Sequence, residues 1–338
     1  MRVEVELSGE APPLARAELE AVVAALGGTI PDRSATSLGP HARVDLPDES
    51  AVLEMMRRLS LARRCFRPLG TLSEIDATLE VAARGGVRAA FRLRGHPTGG
   101  EVDPAIWSLA RRWTSAGGKI DLEEPSLRYW IDTEPSGPGR LLVELGTVDR
   151  RAVAARRISR LPFRRPVGLD PRLARAAANL AGAAPGRSIV DPFVGTGALV
   201  AEAALLGASV VGIDRDPEMI RGAARNLEHV GRSAERLVAG DAEAVAQEFR
   251  DRTFDALLTD VPYGRSSGTG GEEIERLLAR ALPPWADLVR PGGRVVIVCA
   301  GGPDPIAEPW RRLTSIPVRQ HRSLTREFRV YENGSTGR

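Results

Sequence analysis

The stretch Ser188-Ile189-Val190-Asp191-Pro192-Phe193-Val194-Gly195-Thr196-Gly197 joins a short apolar run to a turn that contains two glycines. The apolar run predicts a buried strand, and the residues after the turn predict a helix from Ala198 to Leu206, ended by Gly207. A glycine turn between a strand and a helix is typical of α/β folds in which a nucleotide-like ligand approaches the backbone closely. The stretch therefore predicts an α/β fold with a ligand site at the turn.

Strands and helices continue to alternate after this stretch. Further strands are predicted at 209–213, 235–238, 256–259 and 294–299, with helices between them. This order predicts a C-terminal doubly wound, Rossmann-like and mostly parallel sheet. Ligands of such sheets bind beyond the carboxyl ends of the strands. The candidate residues follow strand ends, and they are Asp191, Phe193, Gly195, Thr196, Gly197, Asp214, Asp241, Ala242 and Asp260.

Carboxylates at successive strand ends indicate the kind of cofactor. Asp214 is placed to accept bonds from two ribose hydroxyls, Asp241 to bind an adenine amine, and Asp191 to lie near a cationic amino-acid group. S-adenosylmethionine carries these groups and has no phosphate. The dinucleotide pattern GxGxxG fails at Val200, and no phosphate-binding GxxxxGK[ST] is present. The pattern therefore favours S-adenosylmethionine, although each aspartate taken alone is as well explained as a helix cap or turn residue.

The first half of the chain has a different pattern. Residues 1–165 predict the short strands and helices of an α+β region, and the Arg-rich segment 150–165 marks its junction with a domain at 166–338. The first region holds 25 basic and 22 acidic residues, and the second holds 22 of each. Basic residues cluster at 57–67 and 150–165, where no acidic residue occurs. Clustered guanidinium groups predict a nucleic-acid partner, with a merely solvated face as the alternative.

The remaining composition argues against several other classes of protein. No apolar run approaches the roughly 18 residues of a membrane span. Cys65 and Cys299 lie far apart without CxxC partners, and the four histidines are scattered, so neither a disulfide framework nor a metal site is expected. The N-terminus lacks the apolar core of a secretion signal. We therefore expect a cytoplasmic protein without a membrane or metal partner.

The tetrapeptide Asp260-Val261-Pro262-Tyr263 resembles the signature of the amino-methyltransferases, in which Asp or Asn is followed by two prolines and an aromatic residue. The resemblance implies that the Asp260 carboxylate and a backbone carbonyl accept both N–H groups of an exocyclic amine. It also implies that Tyr263 stacks on the base, which must leave any helical stack. Val261 replaces the usual first proline. The carbonyl at that position remains, but the loop is expected to be less rigid.

The flanking segments resemble a narrower family, the archaeal-type tRNA guanine-10 N2-methyltransferases. The matching segments are 165–166, 169–175, 179–180, 191–197, 202–203, 222–227, 259–266 and 323–326. The resemblance implies a class I methyltransferase domain that forms N2-methylguanosine or N2,N2-dimethylguanosine at position 10 of tRNA. Members of this family carry an N-terminal THUMP domain that binds the acceptor end of tRNA. Because residues 120–125 are similar to a THUMP segment, we expect such a domain within 1–165.

Two other functions remain open at this stage. The same tetrapeptide serves enzymes that methylate rRNA guanine N2, or adenine N6 in RNA or DNA. A non-catalytic tRNA-binding protein with a methyltransferase fold is the other alternative, and Val261 is the sequence feature that suggests it. The sequence leaves undecided the number of methyl groups transferred, the oligomeric state and the need for a small partner protein.

Overall fold

The fold was analysed in a computed structural model of the 338-residue chain. The structure describes residues 1–31, 41–72, 74–94, 104–132, 139–165, 168–242, 244–261, 274–302, 304, 308–321 and 324–335. The chain forms two compact units. The first comprises Met1–Leu7, Gly27–Met56 and Ala62–Val148, and the second comprises Ser8–Leu26, Arg57–Leu61 and Asp149–Arg338.

Strands and helices alternate through most of the described chain. As far as residue 165 the order is β1 (Arg2–Leu7), α1 (Pro12–Ala25), β2 (His41–Asp45), α2 (Glu49–Arg58), β3 (Ala62–Thr71), α3 (Asp76–Ala83), β4 (Arg88–Leu93), α4 (Pro104–Ser115), β5 (Lys119–Ile120), β6 (Leu127–Asp132), β7 (Arg140–Thr147), α5 (Arg150–Ala155) and a 3-10 turn (Ile158–Arg160). The order continues with α6 (Pro171–Leu180), β8 (Ser188–Asp191), α7 (Ala198–Leu205), β9 (Ser209–Asp214), α8 (Pro217–His229), β10 (Arg236–Ala239), α9 (Val245–Glu248), β11 (Phe254–Asp260), α10 (Ile274–Leu288), β12 (Val289–Cys299), β13 (Trp310–His321) and β14 (Leu324–Asn333). No described helix is long and apolar enough to span a bilayer.

The first unit contains one mixed sheet in the order β2-β1-β3-β7-β6-β4-β5. Strands β4, β5 and β6 pair in parallel, and the other neighbours pair in antiparallel fashion. Helices α3 and α4 contribute Leu79 and Trp113 to a core that includes Phe91 and Tyr129. The Trp113 indole N–H donates to the Lys119 carbonyl at 3.1 Å, so this buried ring has its polar atom paired. The predicted α+β character of the N-terminal region matches this arrangement.

The second unit contains the predicted doubly wound sheet, in the order β10-β9-β8-β11-β12-β14-β13. Strands β8 to β12 are parallel, whereas β14 is antiparallel to both β12 and β13. The parallel strands read as nearly continuous apolar runs because helices cover such sheets on both faces. The strand order reverses between β8 and β11. A crevice for a ligand is therefore expected beyond the carboxyl ends of these two strands.

Helix α1 belongs to the second unit although it lies near the start of the chain. The fully buried Glu18 carboxylate accepts hydrogen bonds from the Leu61 N–H at 2.9 Å and from the Asn179 side-chain amide on α6 at 2.9 Å. Segment 149–165 also lies in this unit. The compact units therefore do not divide at residues 165–166, where the basic segment suggested a junction, because buried side-chain bonds tie earlier segments to α6.

Candidate cofactor and catalytic site

The glycine turn after β8 has the backbone geometry that its two glycines allow. Gly195 and Gly197 have φ angles of +52° and +83°, in the region that side chains disfavour. A Cβ at Gly197 would lie 3.1 Å from the Cβ of Ala223 on α8. A Cβ at Gly195 would make only an ordinary contact, 3.8 Å from the Phe193 carbonyl oxygen. Gly197 thus permits close helix packing, and the positive φ angle of Gly195 accounts for the second glycine.

Asp214 links the end of β9 to this turn. Its Oδ2 accepts a hydrogen bond from the Gly195 N–H at 3.0 Å, and its Oδ1 accepts one from the Asp216 N–H at 2.9 Å. Partial burial raises the pKa of this carboxyl above its usual value, against the effect of those two bonds. Each carboxylate oxygen has a second lone pair, so Asp214 can still accept hydrogen bonds from a pair of hydroxyl groups.

Asp191 ends β8 and lies almost completely inside the protein. Its Oδ1 accepts hydrogen bonds from the Phe193 N–H at 3.0 Å and from the Thr259 hydroxyl at 2.6 Å. Burial raises the pKa of Asp191 to about 7, and the nearby Asp260 and Asp214 carboxylates act in the same direction. Asp191 therefore links the turn to β11. A cationic group nearby would stabilise the ionised form of its carboxyl group. Thr259, which received no role in the sequence analysis, fixes this carboxylate.

Asp241 and Ala242 follow β10 and differ in exposure. Asp241 is exposed, and its carbonyl accepts a hydrogen bond from the Ala244 N–H at 3.1 Å. Ala242 is buried, and its carbonyl accepts the Trp285 indole N–H at 3.1 Å. The Trp285 ring also meets Phe193 edge-on, with centroids 6.2 Å apart. Trp285 therefore connects the segment after β10 with the turn after β8, so the two predicted cofactor segments lie at one edge of the sheet.

Asp260 ends β11, the strand beside β8. Its Oδ2 accepts a hydrogen bond from Nη1 of Arg326 on β14. Its Oδ1 is buried and has no hydrogen-bond partner among the residues that the structure describes. Burial raises the pKa of Asp260, and the Arg326 guanidinium partly opposes this rise. Arg326 belongs to the family-like segment 323–326, but no local sequence pattern indicates that it contacts Asp260.

Val261 is more firmly held than its replacement of a proline suggested. The side chain is fully buried, and its N–H donates to the Val298 carbonyl at 2.9 Å, which extends the β11–β12 pairing by one residue. A proline has no N–H and could not make this bond. The hydrogen bond of the Val261 N–H to Val298 therefore offsets, at this residue, the loss of loop rigidity expected from the missing proline. Pro262 and Tyr263 lie outside the described residues.

The Arg-rich segment 150–165 is largely engaged within the second unit. Arg156 donates to Glu202 on α7 at 2.6 and 3.1 Å, and Arg175 on α6 donates to the same carboxylate at 2.6 Å. Arg165 pairs with Glu218 at 2.5 Å. Arg156 is therefore part of an internal ion-pair network and is not a surface ligand for phosphate. Arg151 and Arg160 are exposed.

The same segment also supports the glycine turn. The side-chain amide of Asn226 donates to the Phe163 carbonyl at 3.0 Å and to the Thr196 carbonyl at 2.9 Å, and its oxygen accepts from the Phe163 N–H at 3.0 Å. The Phe163 ring covers Gly222, where an added Cβ would come within 2.0 Å of it. Asn226 and Gly222 were recognised as family-like residues, but their contact with Phe163 is visible only in the folded chain.

These residues form an acidic, glycine-lined edge. Carboxylates from β8, β9, β10 and β11 gather at the carboxyl ends of the parallel strands. Within the described residues, no group of three or more His, Cys, Asp or Glu side chains has the arrangement of a metal site. The edge can accept hydrogen bonds from hydroxyl, amine and ammonium groups, and one carboxylate oxygen is left for a further donor.

Comparisons with known proteins agree with this arrangement. The family UPF0020, described as an RMKL-like methyltransferase domain, matches residues 159–307. The tRNA (guanine(10)-N2)-dimethyltransferase of Methanothermobacter thermautotrophicus is 32% identical over 98% of this chain and 99% of its own length. The tRNA (guanine(10)-N2)-dimethyltransferase of Pyrococcus abyssi is 28% identical over 97% of this chain and 98% of its own length.

Two comparisons involve Thermus thermophilus. Its tRNA (guanine(6)-N2)-methyltransferase is 32% identical over 71% of this chain and 70% of its own length. The crystal structure of TrmN from this organism matches the fold with a TM-score of 0.51 and 23% identity, over 98% of this chain and all of the other. The curated relatives are named for two different guanosines of tRNA, at positions 10 and 6.

Proposed function

We propose that this chain, which belongs to the family of tRNA (guanine-N2)-methyltransferases, transfers methyl groups from S-adenosylmethionine to the exocyclic N2 of a guanosine in tRNA. The site that would do so is the acidic edge of the second sheet. The observation that carries the proposal is the similarity to a tRNA (guanine(10)-N2)-dimethyltransferase along 98% of the chain, since it includes every site segment.

The residues at this edge fit S-adenosylmethionine. Gly195 carries no side chain, so a ligand could approach the backbone of the turn, and the carboxylate of Asp214 would bind the ribose hydroxyls. Asp241 would accept the adenine amine, next to Phe193 and Ala242. Asp191 would attract the ammonium group through its charge. When bound, S-adenosylmethionine supplies an electrophilic methyl group, and its sulfur keeps the electron pair of the bond that breaks.

The protein side of the reaction centres on Asp260. The amino group of guanine is a weak nucleophile because its lone pair is delocalised into the ring. Asp260 Oδ1 is buried and has no partner within the described part of the chain. It would accept a hydrogen bond from one N–H of the guanine amino group and so orient the nitrogen lone pair toward the methyl group. The nitrogen forms the new N–C bond and loses one proton, which the carboxylate can accept. Val261 and Pro262 would contribute the backbone carbonyl, and Tyr263 would stack on the base.

The first unit would supply tRNA binding. Its sheet and its helices α3 and α4 are compatible with the expected α+β module, and we propose that a THUMP-type domain lies within it. We also propose position 10 as the target, with N2-methylguanosine and N2,N2-dimethylguanosine as products. This choice follows the two relatives that match nearly the whole chain, whereas the relative named for position 6 matches 71% of it.

A pair of aspartates on β11 tests the catalytic assignment. Asp260→Ala should lower methyl transfer to tRNA by on the order of 100-fold or more, because the positioned acceptor is lost. Its affinity for S-adenosylmethionine, measured by calorimetry, should stay close to that of the unmodified protein. Asp255→Ala is the matched control, since Asp255 lies at the other end of the same strand and pairs with Arg187 and Arg290. Comparable turnover in both variants would refute the role of Asp260.

A further inference from the structure

Arg326 reaches Asp260 from the far side of β12. In the antiparallel pairing of β12 with β14, Cys299 lies opposite Glu327, so Arg326 is placed just beyond the carboxyl end of β12. The side chain of Arg326 is 3% exposed, and its Nη1 donates to Asp260 Oδ2. A buried arginine is costly unless its charge is paired. The Asp260 carboxylate supplies that pairing at the candidate catalytic position.

We propose that Arg326 is a positioning residue for methyl transfer, which holds Oδ2 of Asp260 so that Oδ1 remains to accept an N–H of the target amine. This inference rests on the function proposed above and adds a residue to it. Arg326 acts through Asp260 and is not assigned a contact with the base or the cofactor.

The two oxygens of Asp260 have different surroundings, and this difference carries the inference. Oδ2 is paired with a guanidinium, whereas Oδ1 is buried without a hydrogen-bond partner in the described ranges. A buried carboxylate oxygen normally has a partner, and leaving one unpaired costs free energy. The arrangement at Asp260 is therefore that of an acceptor kept open for a donor from outside.

The charge of Arg326 also bears on the ionisation of Asp260. Among the described residues, the ionisable groups that interact with this carboxylate are Asp191 on β8, Cys299 on β12 and Arg326 on β14. Burial raises the pKa of Asp260, and Arg326 lowers it. The protonated carboxyl is a poorer acceptor of hydrogen bonds. As the pH falls, a variant without the guanidinium should therefore lose methyl transfer sooner, at a higher pH than the unmodified protein does. An opposite charge at this range typically moves a pKa by about 1–3 units.

The experiment compares three variants, Arg326→Lys, Arg326→Gln and Arg326→Met, in single-turnover methylation of a tRNA transcript from pH 5 to 9. In the Gln and Met variants, the acidic limb of the pH–rate profile should lie about 1–3 pH units higher than in the unmodified protein. They should also lower the rate at pH 7 by on the order of 100-fold, with little change in the concentration of tRNA or S-adenosylmethionine needed for half saturation. The Lys variant, which keeps the charge, should retain the acidic limb of the unmodified protein.

Arg329→Met is the matched control for general damage. Arg329 lies on the same strand, is 1% exposed and pairs with Glu327 instead of Asp260. It should lower stability without moving the acidic limb. Identical pH profiles in the Lys and Gln variants would overturn the inference, and this comparison decides the matter even where the Met variant fails to bind cofactor. Inactive unmodified protein would refute the proposed function instead, so the two failures are distinct.

Discussion

The buried Asp191 and the partly buried Asp260 end the neighbouring strands β8 and β11, at the point where the strand order reverses. Oδ1 of Asp191 accepts hydrogen bonds from Thr259 and the Phe193 N–H, whereas Oδ1 of Asp260 is buried and has no partner among the described residues. The two residues therefore suit different tasks. Asp191 stabilises the turn, and under the proposed function it would contribute charge to the cofactor site, whereas Asp260 would serve as an acceptor for the substrate amine.

Replacement of Asp191 by Asn should stabilise the ligand-free protein at alkaline pH. The pKa of Asp191 is raised from 3.8 to about 7, so its ionisation costs folding free energy as pH rises through this range. The amide oxygen of Asn can still accept the two hydrogen bonds, but it carries no charge. The advantage of Asp191→Asn over the unmodified protein should grow between pH 5 and 8 by at most about 3 kcal/mol, at about 1.4 kcal/mol per pKa unit.

Urea unfolding of both proteins at pH 5 and pH 8 measures this difference directly. The same variant should bind S-adenosylmethionine more weakly at pH 8, since the attraction for its ammonium group is lost. A stability difference that does not change with pH would contradict the raised pKa. Unchanged cofactor affinity would remove Asp191 from the cofactor site while leaving its role in the turn.

At the scale of elements, the parallel sheet and its glycine turn were predictable because they depend on local sequence. Apolar runs predict strands, and glycines or aspartates directly after them predict turns. The predicted strands 209–213 and 256–259 coincide closely with β9 and β11. The contact of Arg326 with Asp260 joins residues 66 positions apart, and that of Asn179 with Glu18 joins residues 161 apart. Such pairings depend on strand order and helix packing, which local patterns do not encode.

The hydrogen bond of Val261 to β12 leads to a prediction about the departure from the family tetrapeptide. Val261→Pro restores the usual residue but removes the N–H that donates to Val298. The variant should lose about 1 kcal/mol or more of stability and should not gain activity. Val261→Ala is the control, since it keeps the N–H and loses only buried side-chain volume. Thermal unfolding and methyl-transfer rates decide the matter, and a tenfold faster Val261→Pro variant would show that the valine loop is poorly organised.

At the scale of the whole molecule, the excess of arginine cannot be read simply as a surface for RNA. Arg156 is committed to Glu202 inside the second unit, whereas Arg151 and Arg160 are exposed and form no ion pair in the part of the chain that the structure describes. Charge clusters in sequence therefore overstate the number of arginines available to phosphate. Only the side-chain contacts in the folded chain separate arginines that are paired internally from arginines that are exposed.

The double variant Arg151→Glu/Arg160→Glu should weaken tRNA binding and make it less dependent on salt. A plot of log affinity against log salt concentration has a negative slope, and each lost phosphate contact makes this slope less steep by about 1. Arg156→Gln should leave this slope unchanged and should instead lower the melting temperature, because it disrupts a partly buried ion pair and leaves the buried Glu202 with one partner fewer. Filter binding at several salt concentrations separates these effects. Equal slopes for the unmodified protein and the double variant would place the RNA contacts elsewhere.

The central claim, guanine-N2 methylation of tRNA, is tested most directly by identifying the product nucleoside. Unmodified tRNA transcripts would be incubated with the protein and labelled S-adenosylmethionine, digested and analysed by mass spectrometry. We expect N2-methylguanosine or N2,N2-dimethylguanosine, and we expect it to disappear when guanosine 10 is replaced but to persist when guanosine 6 is replaced. Methylated adenosine, or no incorporation by protein that binds both tRNA and cofactor, would contradict the account.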